Sequence, residues 1–230
     1  MQAVNSAKYA SVEGLRKKLQ LRKRKIPSSS LHGTLYRLVE SKAVFNAGRG
    51  WYSTIATPFT PQYESIKEIA RQIEKQFPQL QFSVWSTEQL QSFAHHLMSR
   101  FTTFLYTETD AIRSVTEFLQ SQQQTVYPNP KQSEVEKYVA LSNRRIIVRS
   151  LVTKEPVEGH YATIEKILID LFLEKDRLFL MDSAEYKRIF GNIIFSNRIT
   201  MGGLFGYASR RNITASLVKL CSDYKSTIIM

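Results

Sequence analysis

Apolar positions in the first quarter of the chain recur at helical spacing and then change to strand-like alternation. Ser11 precedes a run in which Val12, Leu15 and Leu19 share one face, with Glu13 early and Lys17 and Lys18 late, as a helix macrodipole favours. Pro27 disfavours helix at the residue before it, and Ser28 or Ser29 caps a second predicted helix that reaches about Ser41. Its Leu31, Leu35, Leu38 and Val39 fall on one buried face. Two short strand-like runs follow, residues 43–46 and 51–56. Between them lies Ala47-Gly48-Arg49-Gly50, a glycine-containing tight loop that makes the pair a predicted β-hairpin.

Residues 58–63 contain two prolines in four positions and read as a linker. Beyond it the pattern lengthens. Ile66, Ile69, Ala70, Ile73 and Phe77 predict an amphipathic helix ending before Pro78. Strands are predicted at residues 82–85, 101–106, 125–127 and 145–151, with a helix capped by Ser86 or Thr87 and another near 110–119. The last third reads as helices near 161–174, 183–193, 200–208 and 212–221. The expected class is therefore mixed α/β (α+β). It comprises a winged helix-turn-helix over residues 1–57, the linker 58–63, and a domain over 64–230 built as a small mixed sheet covered by helices with a helical tail.

Charge sharpens this division. The first 60 residues hold eleven Lys or Arg against Glu13 and Glu40, a net +9 out of +12 for the whole chain. Such concentration is the footprint of a module that binds a polyanion. On the second helix the face away from Leu31 and Leu35 carries Ser29, Ser30, His32, Gly33 and Arg37, short or polar residues suited to a major groove, and Ser28 at the start of the helix joins them as a candidate DNA contact. Arg22, Lys23, Arg24 and Lys25 form a basic connector suited to phosphates, and Arg49 stands at the hairpin tip between two glycines. Double-stranded DNA is the expected partner.

Other chemistry is sparse. The apolar content of 43% suits a packed core, no apolar run is long enough to span a bilayer, and no signal-peptide pattern opens the chain. The single Cys221 excludes an intramolecular disulfide and reads as a small core residue. A cytoplasmic, cofactor-free, non-enzymatic protein is expected. His95 and His96 are adjacent and cannot form a helical i, i+4 metal pair. Glu165, Lys166 and Asp170 interrupt an apolar helix, where Lys166 and Asp170 have the spacing of a helix-surface ion pair or of a partner contact. Tyr207, Arg210 and Arg211 end a later helix, where the arginines either complement its dipole or meet an acidic or nucleic-acid partner.

Three segments carry a family resemblance: Gly48-Arg49-Gly50-Trp51-Tyr52, the helix Thr163-Ile164-Glu165-Lys166-Ile167-Leu168-Ile169-Asp170, and the ending Tyr207-Ala208-x-Arg210-Arg211. Together they resemble the AbiEi-type antitoxins, winged-helix transcriptional regulators of type IV toxin–antitoxin systems. The resemblance implies an N-terminal domain that represses its own operon and a C-terminal domain that supports repression and antitoxicity. It also implies a neighbouring nucleotidyltransferase-like toxin, countered without a stable complex. By the same resemblance the wing role falls on Arg49 and recognition on residues 28–37, while Glu165, Lys166, Asp170, Tyr207, Arg210 and Arg211 match positions without an assigned role. One departure is that only ten residues precede Ser11, where the family has a full helix; residues 1–9 suffice for two turns. Two readings stand beside this one: a nucleic-acid-processing enzyme with a catalytic C-terminal domain, and a basic protein-interaction module.

Overall fold

The structure is a computed structural model and describes residues 7–21, 28–95, 100–132, 134 and 144–230. The chain opens with strand β1 (Tyr9–Ser11), helix α1 (Val12–Leu21), helix α2 (Ser28–Glu40), and strands β2 (Phe45–Asn46) and β3 (Trp51–Ser53). Next come α3 (Glu64–Gln76), β4 (Phe82–Ser86), a 3-10 segment (Thr87–Phe93), β5 (Phe101–Thr107), α4 (Ile112–Ser121), β6 (Val126–Pro128) and β7 (Arg144–Ser150). The remainder is β8 (Val157–Glu158), β9 (Tyr161–Ala162), α5 (Ile164–Arg177), α6 (Ser183–Ser196), α7 (Met201–Arg210), α8 (Thr214–Ser222) and β10 (Ile228–Ile229). The class is mixed α/β, with two mixed sheets.

Contacts divide the chain into two units, one running through Phe59 and resuming at Gly191–Met230, the other Thr60–Phe190. The first break falls inside the predicted 58–63 linker; the second falls within α6. Residues 191–230 thus join the N-terminal unit, whereas the sequence pattern assigns them to a single 64–230 domain. The reason is long-range pairing. β10 hydrogen-bonds in parallel to β1, and Phe59 N–H donates to Arg198 O at 2.8 Å.

The first unit has a four-stranded sheet in the order β10-β1-β3-β2. Tyr9, read from sequence as the end of a stretch sufficing for two helical turns, instead opens β1, a buried strand between β10 and β3. Tyr9 is fixed there by its hydroxyl, which donates to Asn197 O (2.7 Å) and accepts from Ile199 N–H (3.0 Å). Ser11 caps α1 as expected, its Oγ accepting from Gly14 N–H at 2.9 Å. Leu15 of α1, Leu31 and Leu35 of α2, and Ile229 of β10 meet in one core. Each such buried leucine contributes roughly 1.5–3 kcal/mol.

The second unit is a six-stranded sheet in the order β6-β7-β5-β4-β9-β8, with β6, β7 and β5 mutually parallel and β4 antiparallel to β5. Parallel strands need both faces covered, and alternate residues supply the two faces. Phe82, Val84, Leu105, Ile146 and Val148 pack with Ile66 and Ile73 of α3 and Val115 and Leu119 of α4. Trp85 stacks on Phe104 at 4.4 Å, while Tyr106 and Arg149 meet side chains of α5. The predicted helix at 161–174 starts later, at Ile164, because Tyr161 pairs with Val84 as strand β9. Among the described residues no helix is long and apolar enough to cross a membrane.

Candidate nucleic-acid interface

Helix α2 has two sharply different sides. Leu31 and Leu35 are buried, while Ser30, His32, Gly33, Thr34, Tyr36 and Arg37 are exposed. Positions 30, 33, 34 and 37 fall on one stripe by helical spacing. Along it a Cβ built on Gly33 meets nothing within 4 Å, Thr34 Oγ1 donates to Ser30 O (2.8 Å), and Arg37 Nε donates to Gly33 O (3.4 Å). The stripe is therefore low and polar, with the guanidinium folded along the helix. Tyr36 beside it is 65% exposed, a large ring left in solvent by the helix that packs Leu35. Ser28 and Ser29 lie in the first turn of α2. Arg22, Lys23, Arg24 and Lys25 lie outside the described residues.

The hairpin that follows is tightly specified. Asn46 Oδ1 accepts from Gly48 N–H (2.7 Å), Trp51 N–H donates to Gly48 O (3.0 Å), and Ala47 N–H donates to Trp51 O (3.0 Å). Gly48 and Gly50 take φ of +91° and +73°, the left-handed region where a side chain is strained. Between them Arg49 is exposed at the tip. The predicted strands shorten to two and three residues, but the turn sits where the glycines place it.

In the second unit Glu165, Lys166 and Asp170, the charged residues singled out on α5, prove to be interior. Lys166 and Asp170 are both 0% exposed, and Lys166 Nζ lies 2.7 Å from Asp170 Oδ2 and 3.1 Å from Glu155 Oε1. It also sits 3.5 Å from the centre of the Tyr106 ring. Glu155 in turn accepts from Ser83 Oγ (2.6 Å) and Val152 N–H (2.8 Å), and Glu165 accepts from Thr163 Oγ1 (2.5 Å). The surface ion pair predicted from i, i+4 spacing is thus a buried network, and Glu155, its third charge, has no sequence signature. A second buried pair, Arg149–Glu174 at 2.7 Å, lies further along α5, with Arg149 also donating to Asn129 Oδ1 and Pro130 O. Periodicity reveals neither, because each joins a loop or strand to a helix distant in sequence. Beside Glu155 opens a cavity of about 580 Å³ lined by Ser83, Glu108, Lys154 and His160. Among the described residues no group of three or more His, Cys, Asp or Glu side chains has the arrangement to hold a metal.

Tyr207 is buried in the first unit, and both arginines at the end of α7 attend it. Arg211 Nη1 donates to its hydroxyl (3.0 Å), and the Arg210 guanidinium lies 5.6 Å from its ring centre. Cys221 is also fully buried, and burial alone pushes its thiol up to about 12. The core reading of that residue holds. In the second unit, burial and the neighbouring Glu158 carboxylate likewise raise the Tyr63 hydroxyl to about 12.

Charge separates the two units more completely than it separates the first 60 residues from the rest. The first unit holds sixteen Lys or Arg against three Asp or Glu, a net +13; the second holds sixteen against seventeen, a net −1. The C-terminal residues that fold back onto the N-terminal ones bring Arg198, Arg210, Arg211, Lys219 and Lys225, against Asp223 alone. Arg198 is committed to structure, donating to Ile55 O and Ala56 O and lying 4.8 Å from the centre of the Phe45 ring.

No curated protein matches the chain. A protein-family comparison matches residues 30–227, which take in all but the first two residues of α2, the hairpin, the second unit and the returning C-terminal helices. With most of its length so matched, the chain belongs to the family described as a family of unknown function, DUF6577.

Proposed function

We propose that the protein is a cytoplasmic, non-enzymatic regulator that binds duplex DNA through its first unit. In this reading β1, α1, α2 and the β2–β3 hairpin form a winged helix, α2 being the recognition helix and Arg49 the cation of the wing. The observation that carries it is the segregation of charge: a net +13 in the unit that holds α2 and the hairpin, and −1 in the other. A polyanion is attracted to one unit and not to its neighbour. The small, polar outer stripe of α2 lets the helix backbone approach base edges, and Arg37 at its end has the fork geometry that reads guanine.

Resemblance of the 48–52, 163–170 and 207–211 segments to AbiEi-type antitoxins supports the finer proposal. The regulator represses its own operon and counters a nucleotidyltransferase-like toxin without a stable complex. We assign Glu165, Lys166 and Asp170 to the architecture of the second unit and Tyr207, Arg210 and Arg211 to that of the first. Lys166 pairs with Asp170, Glu165 accepts from Thr163, and Arg211 donates to Tyr207.

Selection from a randomised duplex library tests the reading. The full chain is expected to enrich a defined motif. Arg37→Gln is expected to lose preference at one position while retaining non-specific affinity, and Arg22→Gln to weaken binding to all duplexes alike. Enrichment of no motif, or equal loss on every sequence from Arg37→Gln, contradicts the assigned roles.

A further inference from the structure

The hairpin tip is seated, within the first unit, on the start of α7. A Cβ on Gly202 would lie 2.6 Å from Arg49 N and 2.9 Å from Gly48 C, distances no real Cβ sustains. Conversely, a Cβ on Gly48 would meet Thr200 Cγ2 at 2.7 Å and Gly202 N at 2.9 Å. The atoms facing Gly202 are backbone, so they cannot swing aside as the end of a flexible side chain would. Gly202 N–H donates to Ala47 O (3.1 Å), and one turn further along α7 Phe205 stacks on Trp51 with ring centres 5.2 Å apart and planes 13° off parallel. Residues 47–51 are thus held by a backbone contact, a hydrogen bond and an aromatic stack, all from α7.

We infer that α7 is a fixed seat for the wing and that Gly202 is a positioning residue, setting where Arg49 meets a phosphate or minor groove. The inference rests on the duplex-binding reading above. A cation presented on a seated loop gives up little conformational freedom on binding. A methyl group inserted under it displaces the tip and stretches a charge-assisted hydrogen bond whose length is narrowly defined. None of this was legible in the sequence, where Gly202 stands 153 residues after Arg49.

A double-mutant cycle on the full chain tests it. Binding to a duplex is measured by fluorescence anisotropy for the wild type, Arg49→Gln, Gly202→Ala and the double variant, with thermal unfolding recorded for each. Gly202→Ala is expected to weaken binding by about threefold to tenfold, comparable to Arg49→Gln and to the removal of one phosphate contact. In the Arg49→Gln background it is expected to cost nothing further. An undiminished loss there shows that Gly202 acts through overall structure and overturns the inference, as does wild-type affinity for Gly202→Ala or for Arg49→Gln. Should Gly202→Ala lower the folded fraction, Phe205→Leu takes its place, loosening the stack without crowding the turn, and is held to the same outcomes. A wild-type chain that binds no duplex at all removes the underlying reading as well.

Discussion

Lys166 carries its charge at 0% exposure, and its two carboxylate partners, Asp170 and Glu155, are themselves buried. A buried pair of this kind adds little net stability over an apolar replacement, but removing one member leaves the others buried without compensation. Lys166→Met is therefore expected to lower the unfolding free energy by about 3–5 kcal/mol, read from denaturant midpoints, and a loss below about 1 kcal/mol would show that the network is not desolvated. Cys221 yields a second expectation. Its thiol is raised on folding, so the stability it contributes is complete below the ordinary thiol value and is lost as pH rises from there through about 12. Thiol reagent at about pH 8, near the ordinary thiol value, is expected to leave the folded chain unmodified and to react fully once it is unfolded; fast reaction of the native protein contradicts the burial. At this scale the sequence was informative about residue type and silent about partners. The four-residue spacing of Lys166 and Asp170 was visible, but their burial depends on Glu155, which arrives on a loop whose course no local pattern reveals. Tyr36 lies off the face that packs Leu31 and Leu35, and its ring stands in solvent.

Among elements, those with their own periodicity or capping were legible. Helices α1 to α4, the hairpin turn, and strands β4, β5, β6 and β7 lie close to where apolar spacing, Ser11 and the glycines place them, while the helix predicted after Ser86 is capped there but is a 3-10 segment. The elements missed are β1, β8, β9 and β10, two or three residues each, whose existence depends on a partner remote in sequence or on a strand equally short. So short a strand has no periodicity to detect. Strand β10 tests the point. Ile229→Pro removes a backbone donor from the strand beside β1 and a side chain from the core shared with Leu15, Leu31 and Leu35. Loss of the buried isoleucine side chain is expected to destabilise the first unit by about 2–5 kcal/mol. Hydrogen exchange is expected to report this in α1 and α2 while the strands β4, β5 and β7 keep their protection, and uniform loss across both units contradicts the division.

For the molecule as a whole, the fold makes a charge pattern that the linear sequence shows only in part. Read along the chain, +9 lies in the first 60 residues and +3 in the rest; read by structural unit, the division is +13 and −1. The return of the C-terminal residues accounts for the difference, and it was not legible because it depends on the pairing of β10 with β1. The central claim, that the first unit alone meets the nucleic acid, is tested most directly by the salt dependence of duplex binding by the full chain. Each phosphate neutralised contributes about −0.9 to the slope of log K against log salt. Replacing Arg22, Lys42 and Arg49 of the first unit by Gln is expected to make the slope shallower by about one for each phosphate no longer neutralised. Replacing the exposed Lys131, Lys154 and Lys187 of the second unit in the same way is expected to leave it unchanged. An equal change in slope from the two triple variants, or a slope near zero for the wild type, contradicts the account.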